Sequence, residues 1–170
     1  HNNKIKTSDG TVETLDDVEL QETDADSNLW ASGALATDSN IYYMPASARR
    51  IMRLNPDNDT LSSVGDDLGQ GEMDEYSGTV VGKDYCLYGI PYDNTHIIKF
   101  DPTNSDTTHT VGEEAEFIFE CGNGVLAGDG YIYAANDSGQ VLKVDTSTNN
   151  YTWIGGDMYS IYGVGWGDPI

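Results

Sequence analysis

The sequence predicts an all-β protein, and three observations predict it. Residues 124–155 fall into four short apolar or aromatic segments, 125–127, 131–134, 140–145 and 151–154. Turn-forming runs separate them: Gly128-Asp129-Gly130, Asn136-Asp137-Ser138-Gly139 and 146–150. None of these segments repeats its apolar residues at helical spacing. The third observation is that the same unit is written twice more, over 33–65 and 78–112. Leading glycines Gly33, Gly78 and Gly124 stand 45 and 46 residues apart, and tyrosines Tyr43, Tyr88 and Tyr133 stand 45 and 45 apart. Cations Arg53, Lys99 and Lys143 are each followed two positions later by Asn55, Asp101 or Asp145, and each unit closes on Gly65, Gly112 or Gly155. Four antiparallel strands per unit of this length is the period of a propeller blade.

Taken in order, 4–7 and 12–15 around the turn Ser8-Asp9-Gly10 read as a hairpin resembling the last two strands of a blade. The acidic run 16–28 is a connector. Three full blades follow, approximately 33–65, 78–112 and 124–155, and Tyr162-Gly163-Val164-Gly165-Trp166 reads as a first strand. The chain is thus expected to be a single propeller domain, 1–170, with three full blades and a composite or incomplete blade from 4–15 and 162–170. Three arrangements stay open: a closed ring of four, a fragment of a longer array, or a protomer whose unfinished edge pairs with a neighbouring chain. Aromatics Trp30, Tyr76, Phe119 and Tyr162 precede the leading strands and are expected to pack between blades.

These repeats, with Gly at the first strand, an Asp before the second, Tyr within it and a cation in the third, resemble those of kelch-like, NHL-like and SMP-30-like β-propellers. They are most similar to uncharacterised propeller repeats of algae and protists. The resemblance implies fold but little about activity, since propellers host unrelated functions. An SMP-30-like lactonase would hold a central divalent cation through acidic and Asn ligands. The expected channel positions, Gly33-Ala34-Leu35-Ala36 and Gly124-Val125-Leu126-Ala127, read instead as packing.

Composition narrows the partners. Eight Lys and Arg against 29 Asp and Glu give a net charge of −21, a surface that repels nucleic acid and anionic lipid. No stretch approaches the roughly 18 apolar residues of a membrane-spanning helix. A start at His1 is what a processed chain would show, and with the sequons below it leads us to expect a secreted or cell-surface protein.

Candidate sites are few. Sequons begin at Asn58, Asn136 and Asn150, all in expected hairpin turns where attached glycans would be accommodated. Stacked blades leave open a disulfide between Cys86 and Cys121, against the alternative of two buried thiols. The oxygen-rich turns 55–60, 101–106 and 145–150 hint at calcium, yet they lack the full calcium-loop spacing and suit side chain–backbone turns equally. Histidines His1, His96 and His109 form no metal motif, so neither a metal nor a cofactor site is expected. Arg49 and Arg50 make a local basic spot suited to an acidic patch on another copy. No acyl-nucleophile or phosphate-loop motif is present. The expected function is therefore a non-catalytic structural or interaction module, partnered by another protein or by further copies of itself. The alternative is an SMP-30-like calcium-dependent lactonase or hydrolase.

Overall fold

The computed structural model describes residues 3–5, 8–14, 29–69, 75–104, 107–115 and 119–156. Strand β1 (Asn3–Ile5) pairs antiparallel with β2 (Val12–Thr14), as expected of the opening hairpin. Three four-stranded antiparallel sheets follow in simple sequence order. The first contains β3 (Trp30–Leu35), β4 (Ile41–Pro45), β5 (Ile51–Asn55) and β6 (Thr60–Val64). The second contains β7 (Tyr76–Val81), β8 (Leu87–Pro91), β9 (Ile97–Phe100) and β10 (Thr108–Val111). The third contains β11 (Cys121–Leu126), β12 (Tyr131–Asn136), β13 (Val141–Asp145) and β14 (Asn150–Ile154). First strands β3, β7 and β11 lie beside one another, so the sheets stack radially with their first strands innermost. The expected first strand at 162–166 lies outside the described residues.

The stacking follows from period-2 side-chain alternation, which gives each sheet two apolar faces. Between the first two sheets, Tyr42, Met44 and Ile51 meet Leu87, Ile98 and Phe100, all buried. Between the second and third, Tyr88, Ile90 and Ile97 meet Ile132, Leu142 and Val144. Tyr42 tilts against Phe100 with ring centroids 5.5 Å apart, and Phe119 meets Tyr151 edge-on at 5.2 Å. The middle sheet, covered on both sides, is buried along all of β8, whereas β3 and β11 leave Leu35 and Val125 more than 60% exposed.

One recurrent device fixes the turn between first and second strands. Asp38, Asp84 and Asp129 each accept the hydroxyl proton of the tyrosine four residues on, at 2.7, 2.9 and 2.7 Å to Tyr42, Tyr88 and Tyr133. The other carboxylate oxygen accepts a backbone N–H from Asn40, Cys86 or Tyr131. The next residue turns through positive φ at Ser39, Tyr85 and Gly130, an arrangement the aspartate clamp holds even without glycine. This corrects the sequence register by one residue in the first blade, where Tyr42 and not Tyr43 is the counterpart of Tyr88 and Tyr133. Tyr43 points to the opposite face, across Gly33, where a Cβ would stand 2.6 Å from its ring.

Candidate functional site at the bulged ends of the first strands

Each innermost strand carries a register shift near its start, between Trp30 and Gly33, Tyr76 and Gly78, and Cys121 and Gly124. A β-bulge places an extra residue on one strand and re-aims the side chains around it. Here it brings Ser32, Ser77 and Asn123 to the inner strands at one end of the stack. Ser77 donates to the carbonyl of Cys121 at 2.7 Å, linking the second and third blades. The Ser32 hydroxyl accepts the N–H of Thr79 at 3.2 Å, and the Thr79 hydroxyl donates to the carbonyl of Ser32, linking the first and second. Buried Thr79 is itself satisfied, accepting from the N–H of Met44 at 3.2 Å. Asn123 remains exposed.

A hollow of about 440 Å³ opens at this end, lined by Trp30, Ala31, Ser32, Ala46, Tyr76, Ser77 and Tyr92. Its aromatic side is held in place from behind. The Trp30 indole N–H donates to the carbonyl of Arg50 at 3.0 Å, and Tyr76 is buried, with burial pushing its hydroxyl pKa up. Tyr92 donates to Asp137 of the third blade at 3.2 Å, and that carboxylate raises the phenol pKa, so the proton stays on Tyr92. Two rings, two serine hydroxyls and the Tyr92 phenol line the hollow and can hold a flat ligand with polar oxygens at its edge, with Asp137 bonded to Tyr92 but outside the lining. Among the described residues no group of three His, Cys, Asp or Glu converges as a metal site.

The residues singled out from sequence lie elsewhere. Asn58 is exposed in the β5–β6 turn, where its carboxamide oxygen accepts from Thr60 N and Oγ1 at 3.2 and 2.7 Å. Asn150 is exposed at the start of β14. Asn136 is buried, its oxygen accepting from Gln140 N at 2.8 Å and Ser138 Oγ at 2.9 Å, so a glycan there would require the turn to open. Cys86 and Cys121 are two separate buried thiols, not a disulfide. Arg49 pairs with Asp67 and Arg50 donates to the Gly65 carbonyl, so the basic spot is spent inside the first blade. Asp101 and Asp145 fold back onto Thr103 and Ser147 as turn caps. Strand alternation in the sequence does not reveal Ser32 and Ser77, which sit at bulges, nor Tyr92 and Asp137, which pair across two blades.

No family model matches the sequence, and no curated protein matches it. Solved structures do match the fold. The chain superimposes on virginiamycin B lyase from Staphylococcus aureus with a TM-score of 0.69 at 15% identity, covering 89% of this chain and 47% of that one. The architecture is a β-propeller. A putative 6-phosphogluconolactonase from Bacteroides uniformis matches at 0.57 and 17%, over 92% of this chain and 48% of that one. A gluconolactonase from Xanthomonas campestris matches at 0.56 and 13%, over 76% and 48%. The chain thus spans about half the length of these propellers. Their company overturns the expectation of a non-catalytic building module: these neighbours are enzymes, and they back the lactonase or hydrolase alternative better.

Proposed function

We propose that these blades belong to a propeller enzyme that opens a lactone ring, with the ester bound in the hollow at the bulged strand ends. The observation that carries this reading is the convergence there of Ser32, Ser77, Tyr92 and the rings of Trp30 and Tyr76. Two lactonases and a lyase among its fold neighbours support it. A lactone is a compact ring with one polarised carbonyl, so it suits an aromatic wall with a few hydroxyls that fix its orientation.

Proton handling falls to the pair Tyr92–Asp137. Asp137 takes a proton from the attacking water as its oxygen bonds to the acyl carbon. The ring C–O bond then breaks, and the departing alkoxide receives that proton, leaving a hydroxy acid. Tyr92 orients the carboxylate, and its raised pKa keeps its own proton in place. Calcium would need about six to eight oxygen ligands. Among the described residues no three His, Cys, Asp or Glu side chains converge, and the reaction written here uses side chains alone.

The test is lactone hydrolysis followed by base uptake at constant pH, with glucono-1,5-lactone and a panel of alkyl lactones. The expected result is turnover above buffer that Asp137→Asn lowers by roughly 100-fold or more, the usual contribution of a positioned acid or base. Turnover equal to buffer for every lactone, or unchanged in Asp137→Asn, overturns the proposal.

A further inference from the structure

A row of backbone hydrogen bonds runs from blade to blade past the hollow. The Glu75 N–H donates to the Ala46 carbonyl, Tyr92 to Glu75, Glu120 to Tyr92 and Asp137 to Glu120. Ala46 and Tyr92 of this row line the hollow, and its other members are carboxylates. Their charge reaches the phenols beside them. Asp137 does most to raise the Tyr92 hydroxyl, with Asp93 and Glu120 adding to it, and the Glu75 charge adds to the effect of burial on Tyr76. Positive charge is placed elsewhere, for no described Lys or Arg lines the hollow. Arg50, whose carbonyl holds the Trp30 indole, sends its guanidinium to the Gly65 carbonyl, and Arg49 pairs with Asp67. Lys99 bonds Asp84, and Lys143 lies over the Tyr131 ring. An anion in the hollow would meet carboxylates and no described cation, on a chain of net charge −21.

One group in the hollow lacks a partner. Tyr76 is only 3% exposed, and among the described residues nothing bonds its hydroxyl, although no fully sealed side-chain oxygen or nitrogen goes unpaired. The open part of Tyr76 is therefore its oxygen, which faces the hollow that the residue lines. A buried hydroxyl left without a partner is costly, so a ligand that bonds it gains by doing so. We infer that the hollow binds an organic ammonium ion, so that the lactone it takes carries a protonated amine. The rings of Trp30 and Tyr92 attract the cation, the Tyr76 oxygen accepts an ammonium N–H, and Glu75, Asp93 and Glu120 balance its charge. That the amine sits on a lactone rests on the function proposed above, whereas the charge of the ligand does not.

Isothermal titration calorimetry with phenethylammonium, phenylethanol and phenylacetate tests it, since these place a positive, a neutral and a negative group on one ring. Phenethylammonium should bind roughly ten-fold more tightly than phenylethanol, and phenylacetate should not bind. Sodium chloride should weaken the ammonium and leave the alcohol unchanged. Tyr76→Phe should weaken the ammonium by about ten-fold, and Glu120→Gln, a change at an exposed position, by about three-fold. A second arm compares hydrolysis of homoserine lactone, at a pH that keeps its amine protonated, with butyrolactone and a phosphorylated gluconolactone. No binding of phenethylammonium, equal affinity for the alcohol, or an ammonium affinity that neither variant moves overturns the inference. Ammonium binding that both variants weaken, with no lactone hydrolysed, upholds it and removes the lactonase reading. Hydrolysis that shows no preference for the amino lactone overturns it and leaves that reading in place.

Discussion

Replacing Tyr88 by Phe isolates the clamp that builds each blade. The ring keeps its buried place, and only the hydroxyl that donates to Asp84 at 2.9 Å is lost. A hydrogen bond to a charged acceptor is worth roughly 1.5–3 kcal/mol. Asp84 retains Lys99 at 2.7 Å and the N–H of Cys86, so it is not stranded, and the cost should fall in the lower half, about 1.5–2 kcal/mol. With a urea slope of about 2 kcal/mol/M, the unfolding midpoint should drop by somewhat under 1 M. Tyr133→Phe removes the chemically identical bond from the open face of the third blade. Water replaces that partner, so its midpoint should barely move. Urea unfolding followed by tyrosine and tryptophan fluorescence reads both. Equal shifts for the two variants, or none for Tyr88→Phe, would refute the view that inter-blade burial gives the clamp its strength.

Other outcomes follow from the same packing. Gly112→Ala should destabilise by about 1–3 kcal/mol in the same assay, since a Cβ there stands 2.7 Å from the Tyr151 ring on a backbone at φ 74°. Burial pushes the Cys86 thiol up to about 11 and Cys121 up to about 12, so both should resist a thiol reagent at pH 8 and react together once urea unfolds the chain, without reductant. Burial also raises the hydroxyls of Tyr42, Tyr76 and Tyr88 above the usual value near 10. The folded state therefore holds protons that the unfolded chain releases. Stability should be intact below about pH 10 and fall as pH rises beyond it, seen as a urea midpoint that falls only above about pH 10. A net charge of −21 in one domain should make the midpoint rise with sodium chloride at neutral pH.

Much of the architecture was legible because it rests on local chemistry written three times. The closing glycines Gly65, Gly112 and Gly155 all adopt positive φ, and the turn-rich separators fall between observed strands. Register was harder at Ile41-Tyr42-Tyr43, because adjacent tyrosines face opposite sides and only the bond from Tyr42 to Asp38 decides which is the repeat residue. Ser32, Ser77 and Asn123 were hidden because bulges break the alternation that strand reading relies on. Asn136 looked like a solvent-facing turn residue, yet its carboxamide folds inward to cap the turn, which only the tertiary fold reveals. The pairing of Tyr92 with Asp137 joins residues 45 positions apart in different blades, so no local motif could announce it. The sequence's weak catalytic inventory pointed to a building module because the pocket is assembled from ordinary serines and tyrosines.

Radial stacking of consecutive blades is the claim on which every other statement depends, and nuclear Overhauser contacts between assigned aromatic rings measure it most directly. The account predicts contacts from Tyr42 of the first blade to Phe100 of the second, whose ring centroids are 5.5 Å apart. Direct contacts from Tyr42 to Trp153, as in two sheets folded face to face, would contradict it.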